Sequence, residues 1–272
     1  MKQFVMIASM AIVATTLMTA RAEAGAWSQP KGQCYAKLWT VALVGSAGFD
    51  TEGETFDTDS YVDVSLNHYV ECGVADQWTF IATGRALGWA SYDGLSTMYS
   101  GRNSFAMRRG FLSGPLRLAV EVEYGYQGIV GTEDLARRSD GDWQYAAAVE
   151  SHTGRVGGSI GYGTSWGWLT ADLGLRGFTN SSLSPAVVGM LQVGYKITNG
   201  LMVDLHLPYQ LLFEDIETNN ISGAGNTSYV GLGLGLSWWF KDNIGVSLGV
   251  DGVVFAQANA ATPAIQLGVE WK

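Results

Sequence analysis

The residues of this chain best suited to proton transfer or metal binding are three histidines, His68, His152 and His206. None stands in an HExxH or other ligand spacing, and the two cysteines are too few for a typical structural zinc site. His206 falls on the polar face of a predicted strand, where the sequence aligns no serine and no acid with it. We therefore expect no enzymatic activity, no metal and no cofactor.

Charged side chains alternate with apolar ones, so that they occupy one face of several extended segments. In Leu116–Tyr124 the even positions are apolar, whereas the odd positions include Arg117, Glu121 and Glu123. The segment Val230–Phe240 carries leucine or an aromatic residue at even positions from 232, and glycine or serine at odd positions up to 237. A soluble sandwich needs its apolar face for its own core. Apolar-out and polar-in alternation instead indicates a transmembrane β-barrel.

On this interpretation a set of ionisable side chains of both signs lines the barrel lumen. These predicted lumen-lining residues are Asp63, Arg85, Arg117, Glu121, Glu123, Glu150, Asp172, Arg176, Lys196, Asp204, His206, Asp251 and Glu270. Opposite charges on adjacent strands pair with each other, which rigidifies a narrow barrel as readily as it selects a solute. The sequence leaves both roles open.

The elements that position these residues are about twelve strands, joined into an all-β, antiparallel, up-and-down transmembrane barrel, with ten or fourteen strands as the alternatives. The predicted strands are 34–43, 61–71, 77–87, 104–112, 116–127, 143–152, 165–178, 186–196, 201–213, 229–240, 244–255 and 264–271. Short links with turn residues alternate with longer links, as in outer-membrane barrels. The glycine-rich link 153–164 breaks this alternation and is where an additional strand would lie.

The composition agrees with a lipid environment. Charged residues make up only 15 % of the 272 residues, and glycine accounts for 36 of them. No apolar stretch after residue 25 is long enough for a helical span, which excludes a helical inner-membrane protein. The formal charge of −9 argues against nucleic acid as a partner. The expected partners are outer-membrane lipid, the barrel-assembly machinery and a small-molecule solute, and the sequence specifies no oligomeric state.

Residues 1–24 have a basic start, an apolar run and a small-x-small cleavage pattern that ends at Ala24. These features predict a secretory signal peptide that is cleaved after Ala24. The rest of the chain divides into a segment at 25–33, which either lies in the periplasm or plugs the lumen, and a barrel over 34–272. We therefore expect the protein in the bacterial outer membrane, with its cysteines exposed to an oxidising compartment.

The two cysteines, Cys34 and Cys72, face each other if the first two strands form a hairpin centred near Gly53. Both then lie near the periplasmic ends of their strands and on the same face of the hairpin. This arrangement predicts an antiparallel cross-strand disulfide. The alternative is two free cysteines that pack as small apolar side chains.

The segment Gly25–Gly32, followed by Tyr35–Leu38, resembles the mature start of a group of bacterial outer-membrane β-barrels that begin GAW(S/T)QPKG. That group is loosely classed with the meta-pathway phenol-degradation and transporter-like outer-membrane proteins. Further matches are Leu112–Leu116, Trp166–Leu169 and the segment 232–235. The resemblance implies a barrel of about twelve strands that passes small apolar or aromatic compounds. The chain departs from the family by ending on Lys272, where such barrels carry a terminal aromatic residue.

Three functions follow as expectations, in descending order. The first is a passive channel or transporter for small molecules, hydrophobic or aromatic ones among them. The second is a non-conducting structural or surface-interaction barrel that acts through its extracellular loops, and the third is an outer-membrane lipid-modifying enzyme. A barrel of about twelve strands lies between filled eight-stranded barrels and open sixteen-stranded porins, so the strand number does not decide whether it conducts.

Overall fold

The computed structural model forms one closed antiparallel barrel of twelve long strands. It describes residues 26–112, 114–128, 136–137, 143–217 and 219–272. The barrel strands are β1 (Cys34–Phe49), β2 (Thr55–Ala75), β3 (Trp78–Tyr92), β4 (Arg102–Gly110), β5 (Leu116–Gln127), β6 (Ser151–Gly163), β7 (Gly167–Phe178), β8 (Ala186–Lys196), β9 (Leu201–Leu212), β10 (Ser228–Lys241), β11 (Ile244–Gln257) and β12 (Ala264–Trp271). The predicted all-β barrel and its strand number are confirmed, whereas the predicted signal peptide, residues 1–24, lies outside the described residues.

The barrel closes because β1 pairs with both β2 and β12. Ala36 lies opposite Trp271 on one side of β1, and Cys34 lies opposite Cys72 on the other. A closed ladder leaves no strand edge unpaired, which is what lipid requires of a spanning sheet. Among the described residues, no helix is long and apolar enough to cross a membrane.

The outer face of the barrel is apolar and exposed. Alternate side chains along each strand point outward, as in Val122, Leu234 and Leu267, which are 60 %, 55 % and 65 % exposed. The residues between them, such as Glu123 and Ser237, are buried on the inner face. A soluble protein rarely exposes so continuous an apolar surface, so this wall fits contact with lipid.

The two ends of the barrel differ in their connections. One end, called the turn end below, has the short links 76–77, 111–115, 164–166, 197–200 and 242–243. The other, the loop end, has the links 50–54, 93–101, 128–150, 179–185, 213–227 and 258–263. Short turns at one end and longer loops at the other are typical of outer-membrane barrels, which keep their short turns in the periplasm.

Short strands outside the barrel wall lie at the loop end. Leu95–Tyr99 pairs with the end of β3, and Asn259–Ala260 pairs with the end of β1. Trp143–Tyr145 joins Ala136–Arg137 and Asn219–Asn220 in a separate three-stranded sheet. This small sheet brings two long loops together over the barrel mouth.

One predicted strand is wrong. The alternation predicted a strand at 143–152 and a link at 153–164, but the wall strand is Ser151–Gly163. The five glycines of this strand interrupt the apolar alternation on which the prediction relied, and glycine also has a low strand propensity. The barrel needs a small residue there, because a Cβ at Gly161 would overlap the ring of Trp27. With this strand in place, short and long links alternate around the whole barrel.

The first hairpin is longer than predicted. Strand pairing continues to Phe49 and Thr55, so most of the predicted loop 44–60 is strand. The turn is held by Asp50, whose carboxylate accepts hydrogen bonds from the backbone N–H groups of Glu52 (3.0 Å) and Glu54 (2.8 Å). Beyond the lipid the strands no longer need outward apolar residues, which is why the alternation faded there.

Cys34 and Cys72 form a disulfide at the turn end, with their Cα atoms 4.2 Å apart. They are direct partners in the ladder between β1 and β2. The part of the chain that the structure describes contains no free cysteine. The bond therefore joins the first two strands of the barrel at the turn end.

Replacing both cysteines (Cys34→Ser with Cys72→Ser) should lower the free energy of unfolding by about 3–4 kcal/mol, because the cross-link removes loop-closure entropy from the unfolded chain. Urea unfolding in lipid vesicles, followed by tryptophan fluorescence, measures the change. An unchanged free energy, or peptide mapping that finds two free thiols in the native protein, would contradict the prediction.

A charge on the outer face should destabilise the folded barrel. Leu234→Arg is expected to cost about 2–4 kcal/mol if this side chain lies near the middle of the lipid layer. The same unfolding measurement in vesicles gives the cost, and Leu234→Met serves as the uncharged control. Equal stability of the two variants would show that Leu234 does not contact lipid.

Candidate functional site in the barrel lumen

Twelve of the thirteen predicted lumen-lining residues occupy inward-facing positions of the ladder. They are Asp63, Arg85, Arg117, Glu121, Glu123, Asp172, Arg176, Lys196, Asp204, His206, Asp251 and Glu270. Glu150 does not join them. It is an exposed loop residue whose carboxylate accepts a hydrogen bond from the outward-facing Tyr126 hydroxyl (2.8 Å). Its predicted position depended on the strand 143–152, which does not form.

Five of the inward residues form a continuous ion-pair chain: Glu71, Arg108, Glu121, Arg155 and Asp172. Arg108 lies 3.4 Å from the carboxylate of Glu71 and 2.9 Å from that of Glu121. Arg155 lies 3.0 Å from the carboxylate of Glu121 and also contacts Asp172. The signs alternate, so each buried charge has an opposite neighbour that offsets its desolvation. The chain links β2, β4, β5, β6 and β7 on the inner face.

Three members of the ion-pair chain were missing from the predicted set: Glu71, Arg108 and Arg155. Glu71 has the same parity as Asp63 on the same strand, so strict use of the two-residue period identifies it as inward. Arg108 follows equally from the alternation of its own strand. Arg155 was missed because the sequence assigned it to a link.

A second network surrounds His206 on the opposite part of the wall. Its Nδ1 lies 2.8 Å from Asp204 and its Nε2 2.8 Å from Asp251. The Gln192 side chain donates to Asp204 at 3.0 Å, and Gln266 contacts Asp251. Both ring nitrogens are occupied by carboxylates, so neither is free to activate a hydroxyl nucleophile. Across the described chain, no group of three or more His, Cys, Asp or Glu residues is arranged to hold a metal.

Residues Ala26–Gln33, called the plug below, fold back from β1 into the turn end of the barrel: Ala26 and Gln29 are buried there, whereas 30–33 are exposed at the rim. The backbone N–H of Gln29 donates to the Thr79 hydroxyl at 2.8 Å, and its side-chain amide contacts the Glu71 carboxylate. Farther along, Lys31 forms a parallel bridge with Gly73. Both strands that the plug touches here, β2 and β3, present inward-facing residues to it.

The other end of the plug is anchored by Trp27. Its ring packs against Trp168 and Met202 on the inner wall and lies over Gly161. The Trp27 carbonyl accepts a hydrogen bond from Arg108 at 3.3 Å. The plug is therefore tied to the ion-pair chain and crosses the lumen from β2 to the β6 and β7 side.

The loop end is covered by the loop cap, which comprises 143–150 and 219–226. Inward tyrosines of the wall pack with apolar residues of these loops in one buried cluster. Its members are Tyr61, Ala90, Tyr92, Tyr99, Tyr145, Ala147, Ala148, Ile221 and Ala260. Asn220 joins the two loops, because its side chain accepts from the Ala146 N–H (3.1 Å) and donates to the Ala146 carbonyl (3.2 Å).

Beneath the loop cap the lumen holds a cavity of about 370 Å³. Arginines from three strands line it: Arg85, Arg102 and Arg176. The amides of Gln127 and Gln210 line it as well. The lumen is thus covered at both ends by chain segments, and it retains space between them.

No protein-family model matches this chain, and no curated protein matches its sequence. Solved structures of β-barrels resemble it in fold. The COG4313 outer membrane channel from Pseudomonas putida F1 has a TM-score of 0.66 and 8 % identity, over 92 % of this chain and 99 % of that one. The KdgM porin has a TM-score of 0.47 and 7 % identity, over 87 % of this chain and 98 % of that one. The CymD monoaromatic hydrocarbon channel has a TM-score of 0.46 and 9 % identity, over 90 % of this chain and 89 % of that one. At these identities the likeness shows the fold alone.

Breaking the ion-pair chain should destabilise the barrel. Arg155→Ala leaves Asp172 without its ion-pair partner and Glu121 with Arg108 alone, so we expect a loss of about 3–5 kcal/mol in the free energy of unfolding. Arg109→Ala is the matched control, since this exposed arginine lies over the rings of Trp78 and Phe111 and should cost about 1 kcal/mol. Equal losses in the two variants, measured by urea unfolding, would contradict a structural role for the chain.

Proposed function

We propose that this protein is an outer-membrane channel for the passive passage of small molecules. The observation that carries the proposal is a polar lumen that is covered at each end by a chain segment rather than filled by the wall. When wall side chains fill a lumen, no separate segment can move aside to open a path. Here the lumen is covered by the plug and the loop cap, which are segments separate from the wall. Between them lies the cavity of about 370 Å³.

The apolar outer face and the closed ladder support a place in the bacterial outer membrane. Such a protein contacts outer-membrane lipid and is inserted by the barrel-assembly machinery, which we include in the proposal. The likeness in fold to the COG4313 outer membrane channel, over nearly the whole of both chains, agrees with it. The His206 network, with both ring nitrogens occupied, favours a structural role over a catalytic one.

The second candidate is a non-conducting barrel that acts through its loops. The ion-pair chain and the two covered ends favour it, because they also describe a rigid scaffold. The two candidates differ in one respect: a channel has to displace the plug, whereas a scaffold keeps it in place.

Locking the plug separates them. A Cβ built at Gly110 would lie 3.6 Å from the Ser28 Cβ, within the range of about 3.5–4.5 Å that a disulfide needs. We expect the oxidised double variant Ser28→Cys with Gly110→Cys to reduce liposome swelling in a small neutral sugar, because the plug is then bonded to β4. Reduction should restore the swelling rate.

The two single variants and the wild-type protein, each with and without reductant, are the controls, since reductant also cuts the native disulfide. Swelling that is equal in the locked and unlocked forms would show that the plug does not gate passage. No swelling with wild type or with Trp27→Ala, which weakens the plug's anchor, would overturn the channel and support the scaffold.

A further inference from the structure

The charged groups of the cavity beneath the loop cap are unbalanced. Arg85, Arg102 and Arg176 line it, and no described residue that lines it is an acid or a lysine. The nearby carboxylates are engaged outside the lining: Asp63 accepts from the Tyr99 hydroxyl at 2.6 Å, and Glu123 lies 3.7 Å from Arg102. The cavity therefore presents a positive surface in a protein whose whole-chain charge is −9.

Arg176 is the least satisfied of the three arginines. Among the described residues it forms no ion pair, and its Nε is buried without a hydrogen-bond partner. One nitrogen, Nη1, donates to the side-chain carbonyl oxygen of Gln210 (Oε1) at 2.9 Å. Its partner in the ladder on β6 is Arg155, a like charge, which is an unfavourable neighbour. A guanidinium with open donors beside another cation is suited to a bound anion.

The position of Arg176 is fixed by its surroundings. Gln210 is buried, and its amide nitrogen donates to the Thr227 carbonyl at 3.0 Å, which leaves its own carbonyl oriented toward Arg176. Arg155 is held away by Glu121 and Asp172 in the ion-pair chain. The Arg176 guanidinium is thus preorganised, which lowers the cost of binding.

The cavity also has an apolar side. The rings of Trp39, Phe178 and Tyr229 line it together with the alanines Ala147 and Ala148 of the loop cap. A volume of about 370 Å³ accommodates a single-ring organic molecule with space to spare. A guanidinium beside aromatic rings suits a ligand with a planar anionic group and a flat apolar body.

We propose that the cavity binds a small aromatic carboxylate, with its carboxylate on Arg176 and its ring against Trp39 and Phe178. The inference rests on the proposed function, because an internal site of this kind matters to a channel as a selectivity site for its solute. It names the class of solute that the channel passes: monoanionic, planar and about one ring in size.

Binding of benzoate to the detergent-solubilised barrel, measured by isothermal titration calorimetry, tests the site without requiring passage. Arg176→Gln should weaken benzoate binding by about ten- to hundred-fold, the loss expected for a charge-assisted hydrogen-bonded pair. Arg176→Lys keeps the positive charge but lacks the paired N–H donors of a guanidinium. We therefore expect its affinity for benzoate to lie between those of the wild type and Arg176→Gln. Benzamide, the neutral isostere, should bind weakly to all variants alike.

Arg117→Gln is the matched control, because Arg117 also faces inward but does not line the cavity. It should leave benzoate binding unchanged. An equal loss in Arg117→Gln and Arg176→Gln would show that only the general field of the lumen attracts the anion, which overturns the site. Should Arg176→Gln fail to fold, Arg102→Gln removes charge from the same cavity and is expected to weaken binding as well.

Two further results would overturn the inference: no benzoate binding by the wild type, or equal binding of benzoate and chloride, which would mean an inorganic anion site. If liposomes that contain the wild-type protein swell in sugar but the protein does not bind benzoate, the binding site is refuted and the channel is not. If the protein binds benzoate but neither the wild type nor any plug variant supports swelling, the channel is refuted and the binding site is not.

Discussion

Within lipid, every backbone N–H and C=O group has to find its partner in the barrel wall, because the surrounding hydrocarbon offers none. This constraint closes β1 onto both β2 and β12 and sets a single ladder around the molecule. Once the ladder is closed, parity alone assigns each side chain to lipid or to lumen. The strand register of this ladder therefore determines the positions of the ion-pair chain, the His206 network and the cavity arginines.

The lumen uses its charges in two ways. In the ion-pair chain each arginine has two carboxylate neighbours, so the charges stiffen the wall and leave nothing open to a solute. In the cavity the balance is reversed, with three arginines and no acid among the described lining residues. The wall is thus rigid near the plug and electrostatically open beneath the loop cap. The same inner face carries both the ion-pair chain and the cavity arginines, because the strands differ in the charged residues at their inward positions.

The two-residue period of the sequence was enough to predict the barrel, its strand number and the inner face for residues such as Asp63 and Arg176. It failed where the period is absent. The glycines of β6 suppressed the pattern, so that strand was mistaken for a link and Glu150 was misplaced. The plug and the cavity depend on packing between distant segments, as in the contact of Trp27 with Trp168, and no local pattern encodes such contacts.

The disulfide fixes the point at which the plug is attached to the barrel wall. Cys34, the first residue of β1, is covalently held to Cys72 in the wall, and the plug, Ala26–Gln33, is the eight-residue segment that directly precedes Cys34. Trp27 lies seven residues before Cys34, and seven extended residues span about 25 Å at most, which sets the radius within which Trp27 can lie relative to Cys34. In the proposed channel, a plug released from the lumen stays covalently attached at the turn end, so that its return to the lumen is a concentration-independent step within one molecule.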